Sequence, residues 1–289
     1  MTSLILIFPI KLDRTPSETK AALILSRWLA EGSGLLSIQN MPPPPEFNMR
    51  YLERTYPEIV PNLALDEALL IQAEEIHPGP AMRVWEAHSP AVVLGASGRR
   101  SEDVLIEACE RDGIPITRRS SGGGTVLIGP GALNVTWVLP IDYAPGLASV
   151  DVAQRYVLER TAESLREHTP GVKVLGLGDL TLDQRKFSGS AQRRLRDHFM
   201  VHTSILYHFP LELITRYTAL PRRQPDYRNQ RPHADFLINL PLGRDTLLRA
   251  IMDAWMPDGP VSELLSVSED RVRELVETKF SRPDWIERL

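Results

Sequence analysis

Lys186 stands in Arg185-Lys-Phe-Ser-Gly-Ser-Ala191, just ahead of three small residues. A lysine so placed can run its ammonium along a groove lined by Ser188, Gly189 and Ser190. A compact point charge there suits a phosphate, or a carboxylate being activated. The same residues also fit an exposed lysine on a hairpin. Upstream, Arg118-Arg-Ser-Ser-Gly-Gly-Gly-Thr-Val-Leu-Ile128 sets two arginines and two serines before three consecutive glycines. A glycine triplet gives up side chains and costs backbone entropy, which points to a close approach to the backbone. The triplet matches neither the G-x-x-x-x-G-K-[ST] loop nor a G-x-G-x-x-G that opens a helix. With a strand on either side, it would lay N–H groups alongside an extended ligand, with Arg118 or Arg119 available for an anion. A glycine-rich hairpin carrying surface arginines satisfies the same composition.

The 289 residues allow one large domain, or one large and one small. An apolar content of 43% and a charged content of 24% are those of a globular protein. A net charge of −4 leaves no general basic footprint, so nucleic acid is not expected as a partner. Arginine is nevertheless clustered at 99–100, 118–119, 193–196 and 222–223. The single cysteine, Cys109, excludes an intramolecular disulfide framework and a Cys-based zinc site. Leu4-Ile-Leu-Ile-Phe-Pro-Ile10 lacks the basic flank and small-residue cleavage site of a signal peptide. No stretch reaches the ~20 apolar residues of a membrane span. The reading is a reduced, cytoplasmic enzyme or binding protein.

Elements must position these stretches. Residues 1–48 differ from the rest and read as an N-terminal extension, with a helix over Ser17–Glu31 and a stiff Pro42–Pro45 run. Leu63, Leu65, Ala68, Leu69, Gln72 and Ile76 suit an amphipathic helix with Asn62 as N-cap. Strands are expected at Arg83–Trp85, Ala91–Leu94, Ile114–Arg118, Thr125–Ile128, Leu133–Leu139, Lys173–Leu177, Leu180–Thr181 and His202–Tyr207. Helices are expected at Glu102–Arg111, Asp151–His168 and Asp245–Trp255. The capping box Ser266-Val-Ser-Glu269 starts a last helix through Lys279. Without strict βαβ alternation, the fold class is α+β with a mixed or antiparallel sheet and flanking helices.

Taken together, the motifs resemble the lipoate–protein ligase family, within the wider biotin/lipoate ligase and octanoyltransferase superfamily. The resemblance rests on Asn62-Leu-Ala-Leu-Asp-Glu67, Val92-Val-Leu-Gly-Ala96, Arg118–Gly124, Asn134 and Arg185–Gln192. Weaker echoes are His202-Thr-Ser-Ile-Leu206 and Lys279-Phe-Ser-Arg-Pro-Asp-Trp285. It implies a catalytic domain over 49–256 and a short C-terminal helical segment over 257–289. It implies that ATP, with Mg²⁺, and lipoate or octanoate give an acyl-adenylate. The acyl group then passes to a lysine of a lipoyl carrier domain, either of a 2-oxoacid dehydrogenase or the glycine cleavage H protein. Lys186 becomes the catalytic residue by this resemblance. Substrate or adenylate binding falls to Arg119, which would face the phosphate, and to Ser121, Gly122, Gly123, Gly124, Asn134, Ser188, Gly189, Ser190 and His202.

The chain departs from the ligase pattern in two places. Ile128-Gly129 stands where ligases carry His-Asp, and Leu177-Gly178-Asp179 where they carry Arg-Asn-Asp. Asp179, the acid retained, is a candidate metal ligand, and a lone Asp at a strand start also has a structural use. One alternative is an ATP-independent octanoyl or lipoyl transferase of the same fold. Its thiol members need a cysteine ahead of the lysine motif, residues 170–186 have none, and Cys109 reads as a small buried hydrophobe. Another alternative is a non-catalytic acyl- or nucleotide-binding homologue or partner subunit. Arg222–His233, with five Arg and His side chains around Tyr227, fits a lid, a docking surface for an acidic carrier, or a solvated loop.

Overall fold

Two sheets organise the protein in the computed structural model, which describes residues 49–76, 79–256 and 267–289. The expected helix over Ser17–Glu31, the remainder of 1–48, and Ser266 lie outside the described residues. In chain order the elements begin β1 (Arg50–Glu53), α1 (Ile59–Glu75), β2 (Ala81–Glu86), β3 (Ala91–Leu94), α2 (Arg100–Asp103) and α3 (Ile106–Asp112). Then come β4 (Ile116–Arg118), β5 (Val126–Ile128), β6 (Ala132–Pro140), α4 (Val150–His168), β7 (Lys173–Leu175) and β8 (Asp179–Leu182). The last are β9 (Arg185–Arg194), β10 (His198–Leu206), α5 (Glu212–Tyr217), α6 (His233–Phe236), α7 (Arg244–Trp255), α8 (Glu269–Leu275) and α9 (Pro283–Ile286).

The larger sheet has the order β1-β2-β6-β10-β9-β8-β7. Only its β1–β2 pair is parallel. The smaller sheet, β4-β3-β5, pairs β3 parallel to β4 and antiparallel to β5. This is the expected α+β class with a mixed sheet. The apolar residues of α1 lie against Trp85, Val138 and Met200, and Val272 and Phe280 from the C-terminal residues join the same core. Full burial of a Leu or Phe side chain contributes about 1.5–3 kcal/mol, and Leu65, Leu70 and Phe280 are all fully buried. On the other face α4 and α7 meet, with the Trp137 and Trp255 rings 5.4 Å apart and Ser164 Oγ donating to the Ala250 carbonyl at 2.6 Å. A second core joins Val92, Leu94 and Leu127 to Cys109, Ile214, Tyr217 and Phe236. Cys109 is fully buried, and burial pushes its thiol up.

Several local expectations are corrected. Asn62 is not an N-cap. It lies inside α1, whose N-cap position is Glu58, and its side chain bonds the Tyr56 and Glu58 carbonyls and the Arg83 guanidinium. The helix over Glu102–Arg111 divides into α2 and α3, because Leu105 N–H donates instead to the Tyr217 carbonyl at 3.0 Å and Val104 bridges Thr218. The last helix is capped by Ser268, whose hydroxyl accepts from Arg271 N–H, and it passes into a π-helical turn over Val276–Phe280. The glycine triplet is not a hairpin turn, since β4 and β5 flank β3 on opposite sides. β9, which carries Lys186, was not expected as a strand. Its Gly, Ser and Arg are residues that strands disfavour or that carry no strand signal.

Candidate active site

A bulge aims Lys186. Leu180 pairs with Ser188, but the next residue, Thr181, pairs with Lys186, so Phe187 is an extra residue in β9. Simple alternation would put Lys186 on the face of Ser188 and Ser190; the inserted residue turns it to the face of Gly189 instead. There its Nζ lies 2.7 Å from Asp179 Oδ1. A Cβ on Gly189 would stand 2.8 Å from that Nζ, so the lysine stem crosses the strand where no side chain exists. The expected groove lining is corrected accordingly: only Gly189 adjoins Lys186. The hydroxyls of Ser188 and Ser190 each bond Thr203 Oγ1, at 2.7 Å, on the opposite face. The second oxygen of Asp179 accepts from the Tyr227 hydroxyl at 2.7 Å. Burial and the Asp179 charge push that phenol well above its ordinary range.

The glycine loop lies over the same face of β9, further along the strand at Ala191. It arches across the end of β3, where a Cβ on Gly95 would meet the Gly123 carbonyl oxygen at 2.0 Å. Gly123 itself has φ +80°, and its missing Cβ would sit 3.5 Å from Ala191 Cβ. Arg119 holds the loop from within. Its Nη2 donates to the Gly122 and Gly124 carbonyls at 2.5 and 2.8 Å, its Nη1 to Val93 at 3.3 Å, and its Nε to Ser121 Oγ at 3.0 Å. With every arm of the guanidinium engaged and the residue buried, Arg119 does not face a phosphate as expected; it staples the loop. Burial lowers its pKa to about 10. Arg118 is buried as well, and donates to the Gly95 and Gly98 carbonyls and to Ile286 of α9.

Beneath the loop runs a polar chain that reaches α1. Ser121 Oγ is 2.5 Å from His202 Nε2. His202 Nδ1 stands 3.8 Å from Asp66 Oδ2, and Asp66 Oδ1 is 2.5 Å from Arg83 Nη1. Burial lowers the His202 pKa, with Asp66 opposing and Arg119 reinforcing. For Asp66 burial acts upward, but Arg83 and His202 outweigh it and hold the carboxyl below its ordinary value. Asn134, on β6, is placed by Ser204, whose Oγ donates to Asn134 Oδ1 at 2.6 Å. A second buried acid of α1, Glu67, takes Arg193 at 2.6 Å and Lys279 at 2.7 Å.

Asp66, Arg83 and Glu67 were missed as site residues. The signal was the pair Asp66-Glu67 within the apolar run Leu63–Ile71, since buried acids need buried partners. Arg222–His233 is not a free loop. Tyr227 reaches Asp179, Arg228 is buried 4.4 Å over the Phe236 ring, and Arg231 donates to the Gln184 carbonyl.

Beside Lys186 the chain offers one carboxylate, Asp179, whose two oxygens face Lys186 and Tyr227; a Mg²⁺ held there would take its other ligands from water and substrate phosphates. Among the described residues no group of three or more His, Cys, Asp or Glu could hold a metal. Among them, too, no helix is long and apolar enough to cross a membrane.

The mixed sheet, with the glycine loop facing a bulge-directed lysine, defines an enzyme of the lipoate ligase and octanoyltransferase class. The model of the lipoyl protein ligase A/B catalytic domain matches residues 58–241, and the chain belongs to that family. Octanoyltransferase LipM of Carboxydothermus hydrogenoformans is 25% identical over 261 residues, covering 79% of this chain and 94% of its own. The bipartite lipoate protein ligase of Thermoplasma acidophilum, studied with its E2 lipoyl domain, shares the fold. Its TM-score is 0.70 at 21% identity, over 84% of this chain and 96% of its own. A lipoate-protein ligase A bound with ATP superimposes with TM-score 0.68 at 21% identity, over 85% of this chain and all of that one (100%).

Proposed function

We propose that this protein attaches lipoate or octanoate to a lysine of a lipoyl carrier domain through an acyl-adenylate made from ATP. The observation that carries this reading is the meeting of the Lys186 ammonium and the glycine loop on one face of β9. In the first step the acid's carboxylate attacks the α-phosphorus and pyrophosphate leaves. Two anions repel as they approach, and a fixed cation with preorganised N–H donors lowers that barrier. In the second step the carrier lysine's amine attacks the acyl carbonyl, a C–N bond forms, and AMP leaves. The carrier would belong to a 2-oxoacid dehydrogenase or be the glycine cleavage H protein. Structural relatives, a lipoate ligase studied with its E2 lipoyl domain and a lipoate ligase bound with ATP, support this assignment.

A second reading, ATP-independent acyl transfer, is favoured by one feature. Ile128 and Gly129, where ligases carry His-Asp, are built into the core. Ile128 is 2% exposed, and a Cβ on Gly129 would stand 3.1 Å from Pro90 Cα. The test mixes purified protein and a lipoyl domain with either ATP–Mg²⁺ plus lipoate or octanoate, or an octanoyl-carrier thioester alone. Carrier mass is the readout. A gain that requires ATP is expected; a gain from the thioester alone establishes transfer; no gain from either donor overturns both.

A further inference from the structure

We propose that Ser121 is an acyl-accepting nucleophile, activated by His202, which takes an acyl group from a thioester donor and passes it to the carrier lysine without ATP. This rests on the acyl-attachment reading of the site, and it supplies the transfer route with the nucleophile that the lone buried cysteine does not provide.

The arrangement suits a His202 protonated on Nδ1. A proton there would face the Asp66 carboxylate, which lies 3.8 Å away on that side of the ring. That distance is long for a hydrogen bond, as such contacts often are before substrate binds. Nε2 is then a free acceptor 2.5 Å from Ser121 Oγ. Arg119 Nε donates to the same Oγ at 3.0 Å, leaving the hydroxyl proton to point at His202. Asp66 is pinned from behind by Arg83, whose guanidinium also takes the Asn62 carbonyl at 2.7 Å and the Arg54 carbonyl at 2.9 Å. A nucleophile, a base and an orienting acid therefore stand in line, which is the arrangement that defines such a triad whatever its order in sequence.

The loop provides the remaining part. Gly122 follows the nucleophile directly, and the N–H groups of Gly122, Gly123 and Gly124 have no acceptor among the described residues. The backbone N–H after a nucleophile is a recurrent oxyanion donor. Positions 122 and 124 have open space where a Cβ would be, so an acyl group can lie against the loop backbone next to Ser121.

The step balances without a further reactant. Ser121 Oγ bonds the thioester carbonyl carbon as His202 Nε2 takes its proton; the C–S bond breaks and the thiolate leaves with that proton. The carrier lysine's neutral amine then attacks the ester, the C–N bond forms, the C–O bond breaks, and His202 returns a proton from the amine to Ser121.

The experiment gives the full chain an octanoyl thioester of N-acetylcysteamine without ATP, quenches rapidly, and maps the acyl mass by peptide fragmentation. An octanoyl group on Ser121 that moves to an added lipoyl domain is the expected result. It should resist neutral hydroxylamine, as oxyesters do. Ser121→Cys should restore acylation as a hydroxylamine-labile thioester, and Ser121→Ala should abolish it. His202→Gln should slow ester formation by roughly 100-fold or more. Asp66→Asn, which touches the acyl site only through His202 but also deprives Arg83 of its partner, should lower kcat per folded enzyme with KM for the thioester unchanged. Absence of acyl mass from Ser121, acylation of another residue alone, or transfer by Ser121→Ala at the wild-type rate overturns the proposal. The ligase reading is judged separately, by the wild-type reaction with ATP and free octanoate.

Discussion

Lys186 and Asp179 form an ion pair, 2.7 Å from Nζ to Oδ1, on a face of the sheet that the lysine reaches only because β9 carries an extra residue at Phe187. Asp179 thus holds the ammonium over Gly189. Lys186→Ala should reduce carrier acylation by roughly 100- to 1,000-fold, the loss typical when one preorganised charge-stabilising donor is removed. Steady-state transfer to a lipoyl domain, read by carrier mass, measures it. Turnover within a few-fold of wild type would remove Lys186 from the chemistry.

Gly189→Ala tests the positioning without removing the lysine. The new methyl would contact the flexible end of Lys186 at 2.8 Å, so the ammonium must swing aside while the backbone stays. We expect a kcat loss of roughly 10-fold or more, as misplacement of a reacting group costs heavily, with thermal stability almost unchanged. Gly95→Ala should behave oppositely. Its methyl meets the Gly123 backbone oxygen at 2.0 Å, so the loop itself must move. A loss of about 1–3 kcal/mol, the usual cost of overpacking, should appear as a lowered Tm.

These two glycines also show what the sequence could convey. The triplet and the small residue after Lys186 were legible as a need for close approach, because only glycine discards its side chain. The order of the motifs was legible too, and with it the family and the mixed sheet. The direction of each side chain was not. Alternation places Lys186 with Ser188 and Ser190, and a bulge of one residue reverses that without any mark in composition. Arg119 reads as an anion ligand from its neighbours in the chain, yet its partners are loop carbonyls that fold back upon it. Asp66 and Arg83 meet across the α1–β2 connection, a contact between side chains far apart in sequence.

That buried pair predicts a specific acid response. Asp66 titrates below its ordinary value of 3.8 in the fold, so the folded protein binds fewer protons than the unfolded chain in that range. The stabilisation is fully present above that ordinary value and is lost as pH falls through the depressed one. Asp66→Asn should remove this component of the pH dependence, seen as a flatter Tm profile below about pH 4. It should also destabilise the protein by about 3–5 kcal/mol at neutral pH, since Arg83 is left charged and buried without its partner. A Tm at pH 7 equal to wild type would contradict the role of the pair.

Tyr227→Phe addresses the arginine-rich segment. The phenol donates to Asp179 at 2.7 Å, and its ring lies 5.3 Å from Phe236, so one residue ties Asp226–Arg228 to the same acid that holds Lys186. Removing the hydroxyl keeps the ring packing and deletes a hydrogen bond to a charged group, worth about 1.5 kcal/mol. The segment should then open more often, because local openings follow the stability of the contacts that close them. Limited trypsin digestion reports this directly: cleavage after Arg228 should accelerate, while cleavage after the surface residues Arg222 and Arg223 changes little. Asp179 keeps Lys186 as its partner in the variant, so carrier acylation should fall far less than in Lys186→Ala. Unchanged cleavage after Arg228, together with an unchanged Tm, would show that Asp179 does not anchor the segment.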